Sequence, residues 1–465
     1  MLTADKIQGL FDRVKSFATT DEVEVLLAGG NSALTRFANN TITQNVAEEN
    51  YVVSIRTAFG QRTARATTNT LDDESLRRAV QASEAIARVQ QPNPHVLPMA
   101  TPQEAAASAQ NNNTLSRHFD HTAAITPQDR AEAVRQMVEI AKKQNLTAAG
   151  IYSSSETLEA TANSRGVFAF HRQTSAEVSI TMLAGDSSGW QKANSPDVRN
   201  VNPVALAEIA AEKTRQSAHP RELAPGKHTV ILEPAAVLDL VGFMFWDWGG
   251  LAILDQRSFL NNRVGTQLFG ANINIIDNVD HPLQSGAPFD GEGVRRQRVQ
   301  LVENGVVRNL VYARASAAQM KTSEHAGKVG DVRPTGHGFP LPNEMGEAPM
   351  NVVFEPARNA NQKTIDQMIA STERGVLVTR LWYIREVDPY EKILTGMTRD
   401  GTFYVENGKV QYGIRNFRFN ESLIHMLSNV DEMSTPVRSS GEESFDMVVP
   451  AMKVRDFNFT EVTKF

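Results

Sequence analysis

Few side chains in this chain of 465 residues have the type and spacing that chemistry requires. The ten histidines are scattered, and no His-Glu-x-x-His helix is present. The closest pair, His118 and His121 in "RHFDH", brackets Asp120 just after "NNNT", where a solvated turn is the plain reading. His325 and His337 share the Gly- and Pro-rich stretch "SEHAGKVGDVRPTGHGFP" with Arg333 and Thr335. Loops of this composition present polar groups to ligands. Two histidines without a third ligand or a nearby acid make a poor metal site; an ordinary long surface loop is the plainer reading, and ligand lining is the functional role these four residues could fill. "FDGEGVRRQR" sets Asp290 and Glu292 beside Arg295, Arg296 and Arg298. Paired carboxylates could exchange protons with a substrate, although a charged turn entering a strand is the commoner explanation.

Other chemistries lack their residues. There is no cysteine, so thiolate ligands, disulfides and a Cys nucleophile are excluded together. No G-x-S-x-G elbow, P-loop or G-x-G-x-x-G helix opening is present. A net charge of −6 over this length gives no electrostatic reason to expect nucleic acid or an anionic membrane. No apolar run reaches the roughly 18 residues of a membrane span. The first residues, "MLTADKIQGLFDRVKSF", read as an amphipathic helix rather than a signal peptide, and a cytoplasmic location is expected.

The elements that must position any site follow from periodicity. After the first helix, "EVEVLLA" alternates as a strand, and further strand-like runs follow with turns expected at Asn39-Asn40, Glu48 to Asn50, and Gly60. "DDESLRRAVQASEAIARV" is a helix with Asp72 or Asp73 as its cap. Residues 91–113 are rich in Pro, Gln, Ala and Asn and read as a linker. "TPQDRAEAVRQMVEIAKKQ" starts a second helix–strands–helix unit with Thr126 as N-cap and Pro127 at the first position. Its strands are "ETLEATANS", "GVFAFHRQT" and "AEVSITMLAG", and its last helix is "PVALAEIAAEKTRQSA". The common order of the two units reads as a weak internal repeat. Beyond about residue 226 the texture is mostly β, with "VENG" at 302–305 and again at 405–408 as two hairpin turns. The expected fold is α+β: two small helix-plus-antiparallel-sheet units, 1–90 and 114–225, followed by a larger β-rich domain, 226–465.

"ILEPAAVLDLVGFMFWDWGG", residues 231–250, is the most apolar stretch and reads as a strand feeding a buried helix. It holds no His, Ser or Lys, only Asp239 and Asp247 and the preceding Glu233 among apolar neighbours.

The ordered set "VILEPAAVLDLV", "DGEGVRRQRVQLVENGVVRN", "RPTGHG", "IASTERGVLVTRLW" and "FYVENGKVQYGIRNFRF" resembles the TldD/PmbA family, metallopeptidases often labelled modulators of DNA gyrase. The resemblance implies a two-subunit assembly acting on unfolded or flexible peptides. One member, TldD-like, holds zinc in an H-E-x-x-x-H helix, and the other, TldE/PmbA-like, lacks that motif. Aligned on "VIL.P", the first His and the Glu of the motif fall on Gly242 and Phe243, and the second His falls on Asp247. Residues five apart on an ideal helix lie about 140° around its axis, so such a site needs a specific local geometry. Gly242 and Phe243 supply neither ligand nor base.

The resemblance is therefore to the TldE/PmbA-like half. The expectation is a non-catalytic subunit with no metal or catalytic residue of its own, and with zinc in a TldD-like partner or else a homodimer. Asp247, His325, Arg333, Thr335 and His337 are the candidate chamber- or peptide-lining residues. The competing readings are an active peptidase using Asp247, the two loop histidines or Asp290 and Glu292, and a stand-alone peptide-binding scaffold.

Overall fold

The computed structural model describes residues 1–106, 115–356 and 362–463. Part of the sequence-predicted linker, 107–113, lies outside the described residues. The described part of that segment buries Met99 and Ala100 and forms a short helix, Pro102–Ala106.

The first unit runs α1 (Ala4–Phe17), β1 (Glu22–Ala38), β2 (Thr41–Phe59), β3 (Arg62–Thr68) and α2 (Asp73–Val89). Thr3 caps α1 and Asp72 caps α2 through side-chain oxygens that accept from the first-turn N–H groups. Ile7, Leu10, Phe11 and Val14 recur at helical spacing and are buried against β1, β2 and β4 (Thr147–Asn163). The second unit adds β5 (Phe168–Ala184) and β6 (Ser187–Ser195) to β4. Its helices are α3 (Pro127–Lys143), with the capping box of Thr126 and Asp129, and α4 (Pro203–Gln216).

β1 pairs with β4, from Glu24↔Asn163 to Phe37↔Gly150, so the units join in one sheet of order β3-β2-β1-β4-β5-β6. That order is symmetric about the β1–β4 seam, and each half carries a helix before and after its three strands. The turn expected at Glu48–Asn50 is absent, because β2 continues through it in register with β1. "GVFAFHRQT" and "AEVSITMLAG" are likewise one strand, β5. In both places the turn propensity of polar residues is overridden by strand pairing.

The C-terminal domain begins with β7 (Gly226–Leu232) and α5 (Pro234–Phe245). One sheet contains β8 (Asn274–Asp277), β9 (Val299–Glu303), β10 (Val306–Val307), β11 (Val352–Glu355), β17 (Val437–Ser439) and β18 (Met447–Val449). The other is built from β7, β12 (Arg374–Asp388), β13 (Ile393–Glu406), β14 (Lys409–Gly413), β15 (Phe417–Ser422), β16 (Val430–Met433) and β19 (Met452–Val462). The pairings β12–β7, β7–β19, β19–β15, β15–β13 and β13–β12 close five of these strands into a ring. Both "VENG" segments are tight hairpin turns, with Asn304 and Gly305 at φ 49° and 78° and Asn407 and Gly408 at 50° and 75°. Two successive positive φ values are the type I′ requirement, which Asn-Gly meets at little steric cost. The α+β architecture is the one expected from the sequence. Among the described residues no helix is long and apolar enough to cross a membrane.

Candidate functional site

Helix α5 is the centre of the C-terminal core. Pro234 opens it at a position whose N–H is not needed, and Val237, Leu238, Leu240, Val241, Met244 and Phe245 are all fully buried. At roughly 1.5–3 kcal/mol for each large apolar side chain, this burial fixes the helix independently of any metal. The face on which Asp239 and Gly242 lie, three residues apart, is covered by the segment Ser440–Asp446. The backbone N–H groups of Glu442 and Glu443 donate to Asp239 Oδ1 at 3.1 and 3.0 Å. Gly441 packs so tightly that a Cβ there would lie 2.7 Å from Asp239 Cγ. A Cβ on Gly242 would lie 2.5 Å from Ser444 Cβ and nearer still to its hydroxyl. Position 242 thus has no side chain and no room for one. Burial pushes the Asp239 carboxyl up to about 7, against the pull of its two N–H donors. Asp239 Oδ2 and Ser444 Oγ are both buried without a hydrogen-bond partner among the described residues.

At the far end of α5, Trp246 emerges 40% exposed, stacked on Phe339 and edge-on to Phe445 of the covering segment. Phe243 packs, partly buried, on the core. Asp247 is ion-paired with Lys392, whose ammonium also donates to Glu386 Oε1 at 2.7 Å. Lys392 is 1% exposed and sits 5.3 Å from the centre of the Phe259 ring. The two carboxylates therefore already share an internal cation. Zinc does not fit here: position 242 lacks a donor and is filled by Ser444, Phe243 is apolar, and Asp247 is neutralised by Lys392. Among the described residues no three His, Asp or Glu side chains converge as a metal-ligand set.

The Gly-rich loop splits its four candidates. His325 is half-buried near Glu324, and Arg333 is on the surface, paired with Asp331. Thr335 and His337 instead are buried, which corrects the expectation that they line a chamber. His337 Nε2 lies 2.9 Å from Asp277 Oδ1, and its Nδ1 lies 3.0 Å from Thr335 Oγ1. Thr335 Oγ1 accepts the Tyr312 N–H and Asp277 Oδ2 accepts the Asn351 N–H. Burial raises the Asp277 carboxyl, but His337, Arg296 and the Asn351 N–H outweigh it and hold the group below its ordinary value. This network ties the loop to β8 from within, so the conspicuous histidine is a structural one.

Asp290 and Glu292 are not an exposed charged turn either, since both are about 95% buried. Asp290 accepts from the N–H groups of Glu292, Val294 and Gly338, and burial together with Glu292 pushes it to about 7. Glu292 pairs with Arg314, which reaches Glu104 as well. Both carboxylates are held inside the fold by these partners, which disfavours proton transfer to a substrate. His118 is half-buried with Nε2 2.8 Å from Glu156 Oε1, whereas His121 and Asp120 stay exposed, as a solvated turn requires, with His121 Nε2 3.0 Å from Asp197 Oδ1. The partners that sequence reasoning missed are Ser444 and Lys392, which lie 202 and 145 residues from the positions they cover. No local spacing announces contacts of that range.

Known proteins give the geometry its context. Three models of the PmbA/TldA metallopeptidase family match, for domain 1 at residues 23–87, for the central domain at 120–218 and for the C-terminal domain at 225–461. The metalloprotease PmbA of Escherichia coli O157:H7 is 22% identical over 93% of this chain and 91% of its own length. A PmbA homologue from Haemophilus influenzae is 22% identical over 81% of this chain and 79% of its own. Among solved structures, TldE from Thermococcus kodakarensis superposes with a TM-score of 0.84 at 17% identity, covering 99% of this chain and all of that one. A Thermotoga maritima protein described as a modulator of a DNA gyrase gives 0.83 at 17% identity over 98% of this chain and all of that one.

Proposed function

Because the chain belongs to the PmbA/TldD metallopeptidase family, we propose that it is a non-catalytic subunit of a peptidase assembly, acting on unfolded or flexible peptides in the cytoplasm. The observation that carries this reading is the filling of α5 by the chain's own residues, Ser444 at Gly242 and Lys392 at Asp247. A helix that once offered ligands now serves packing, and zinc belongs to a partner subunit with an intact H-E-x-x-x-H helix. Trp246, with Phe339 and Phe445 beside it, marks the surface at the end of the closed helix. The rival acid–base reading is disfavoured by the burial of Asp290 and Glu292. The test is affinity purification of the tagged chain from its native source. Recovery of a second, H-E-x-x-x-H-bearing chain, with peptide cleavage only by the pair, is expected. Chelator-sensitive cleavage by this chain alone would overturn the proposal.

A further inference from the structure

Strand β2 is paired with β1 along its whole length, from Ala58↔Glu22 to Thr41↔Ala38. On its other side β3 covers only Val53 to Phe59. The outer edge from Thr41 to Val52 therefore has no strand neighbour among the described residues. From Thr41 to Asn50 every residue is exposed except half-buried Val46, so side chains pointing to both faces of this arm reach solvent. A strand edge of this length is a template for main-chain hydrogen bonding to another extended chain.

Two features say what chain that is. Glu48 and Glu49 are consecutive, so their carboxylates point to opposite faces of the arm. Glu48 accepts from the Ser32 hydroxyl at 3.4 Å and Glu49 from the Tyr51 hydroxyl at 3.0 Å. Among the described residues neither has a Lys, Arg or His within ion-pair distance. Each face also carries a hollow over β1 and β4, inward of Glu48 and Glu49. The register places Ala33, Ala47, Glu49 and Ser154 on one face, along a groove of about 330 Å³, and Leu34, Val46 and Glu48 on the other, along one of about 200 Å³. An added strand would send alternate side chains to the two faces and meet an uncompensated carboxylate of β2 on each.

We infer that the free edge of β2 docks an extended peptide segment carrying two consecutive basic residues, one directed to Glu48 and the other to Glu49. The inference deepens the proposed function by naming the class of peptide held. It concerns this chain alone, however. Failure to recover a metal-bearing partner leaves it standing, and failure of peptide binding leaves the partnership standing.

The experiment is fluorescence anisotropy of the full chain with a labelled Thr/Val peptide bearing a central Lys-Arg pair. Two control peptides are used, one with Glu-Glu in place of the pair and one N-methylated at alternate backbone amides. Saturable binding of the basic peptide is expected, with none for either control. Opposite-charge cross-strand pairs are the specificity term, so Glu48→Gln/Glu49→Gln should weaken binding by about tenfold. Lack of binding, equal binding of the acidic or N-methylated peptide, or indifference to the double variant would overturn the inference. So would a dimer in sedimentation velocity that Glu48→Lys/Glu49→Lys dissolves, since the occupant of the edge would then be a second copy.

Discussion

Gly242→Ala asks whether α5 is closed by its own chain. Non-bonded carbons in contact sit about 3.5–4.0 Å apart, whereas the new Cβ would lie 2.5 Å from Ser444 Cβ and 3.3 Å from Met447 Cε. Ser444 must then retreat by about 1 Å or more, and overpacking of this kind costs about 1–3 kcal/mol. The retreat carries away the Glu442 and Glu443 N–H groups that satisfy Asp239 Oδ1. Stranding a buried acceptor adds about 1–3 kcal/mol, for a total of roughly 2–6 kcal/mol. Urea unfolding followed by tryptophan fluorescence reads this loss, because Trp246 touches Phe445 of the covering segment. Ser444→Gly in the same background clears both clashing atoms and should restore most of the stability, with a coupling of at least about 1 kcal/mol. If Gly242→Ala stays within about 0.5 kcal/mol of the parent, or loses the same amount with and without Ser444, then the segment does not fill position 242.

Other consequences follow from the same contacts. Lys392→Met leaves Asp247 and Glu386 facing each other without their cation; because both retain some exposure, the loss in unfolding free energy should be roughly 2 kcal/mol rather than the full value for a buried pair. His337→Ala strips fully buried Asp277 of its partner and should cost about 3–5 kcal/mol by denaturant titration, while anisotropy with the basic peptide stays at the parent value. Asp239 rises from 3.8 to about 7 on folding, so the folded state holds its proton more tightly than the unfolded chain. That contribution, about 4 kcal/mol at most, is complete below pH 4 and is lost as pH rises through 7. Asp239→Asn should therefore stabilise at pH 8 relative to the parent and lose most of that advantage at pH 5, as measured by denaturation midpoints at both pH values.

Local signals in the sequence were reliable where local chemistry decides. Thr126 and Pro127 announced α3, Asp72 announced α2, and Asn-Gly announced both hairpins. The seam between β1 and β4 was not legible, since strand partners more than a hundred residues apart leave no periodic mark. Nor was the length of β2, because Glu48, Glu49 and Asn50 have turn propensities that pairing with Gly30, Asn31 and Ser32 overrides. At the candidate site, the missing side chain at Gly242 could be read directly, but what filled its place could not. His337 and Asp290 looked like site residues because polar groups in Gly-rich loops are usually exposed. Here Asp277, Gly338 and the surrounding backbone satisfy them internally. Composition indicates which groups are polar, and only the tertiary fold determines which of them face solvent.

The central claim is that this chain contributes to a peptidase assembly without holding the metal. Its most direct test is the zinc content of the full chain, purified under non-denaturing conditions and without chelators. The packing of Ser444 on Gly242 and of Lys392 on Asp247 predicts zinc far below one ion per chain, even after incubation with excess zinc and desalting. Retention of one zinc per chain, lost on Asp247→Ala, would contradict it.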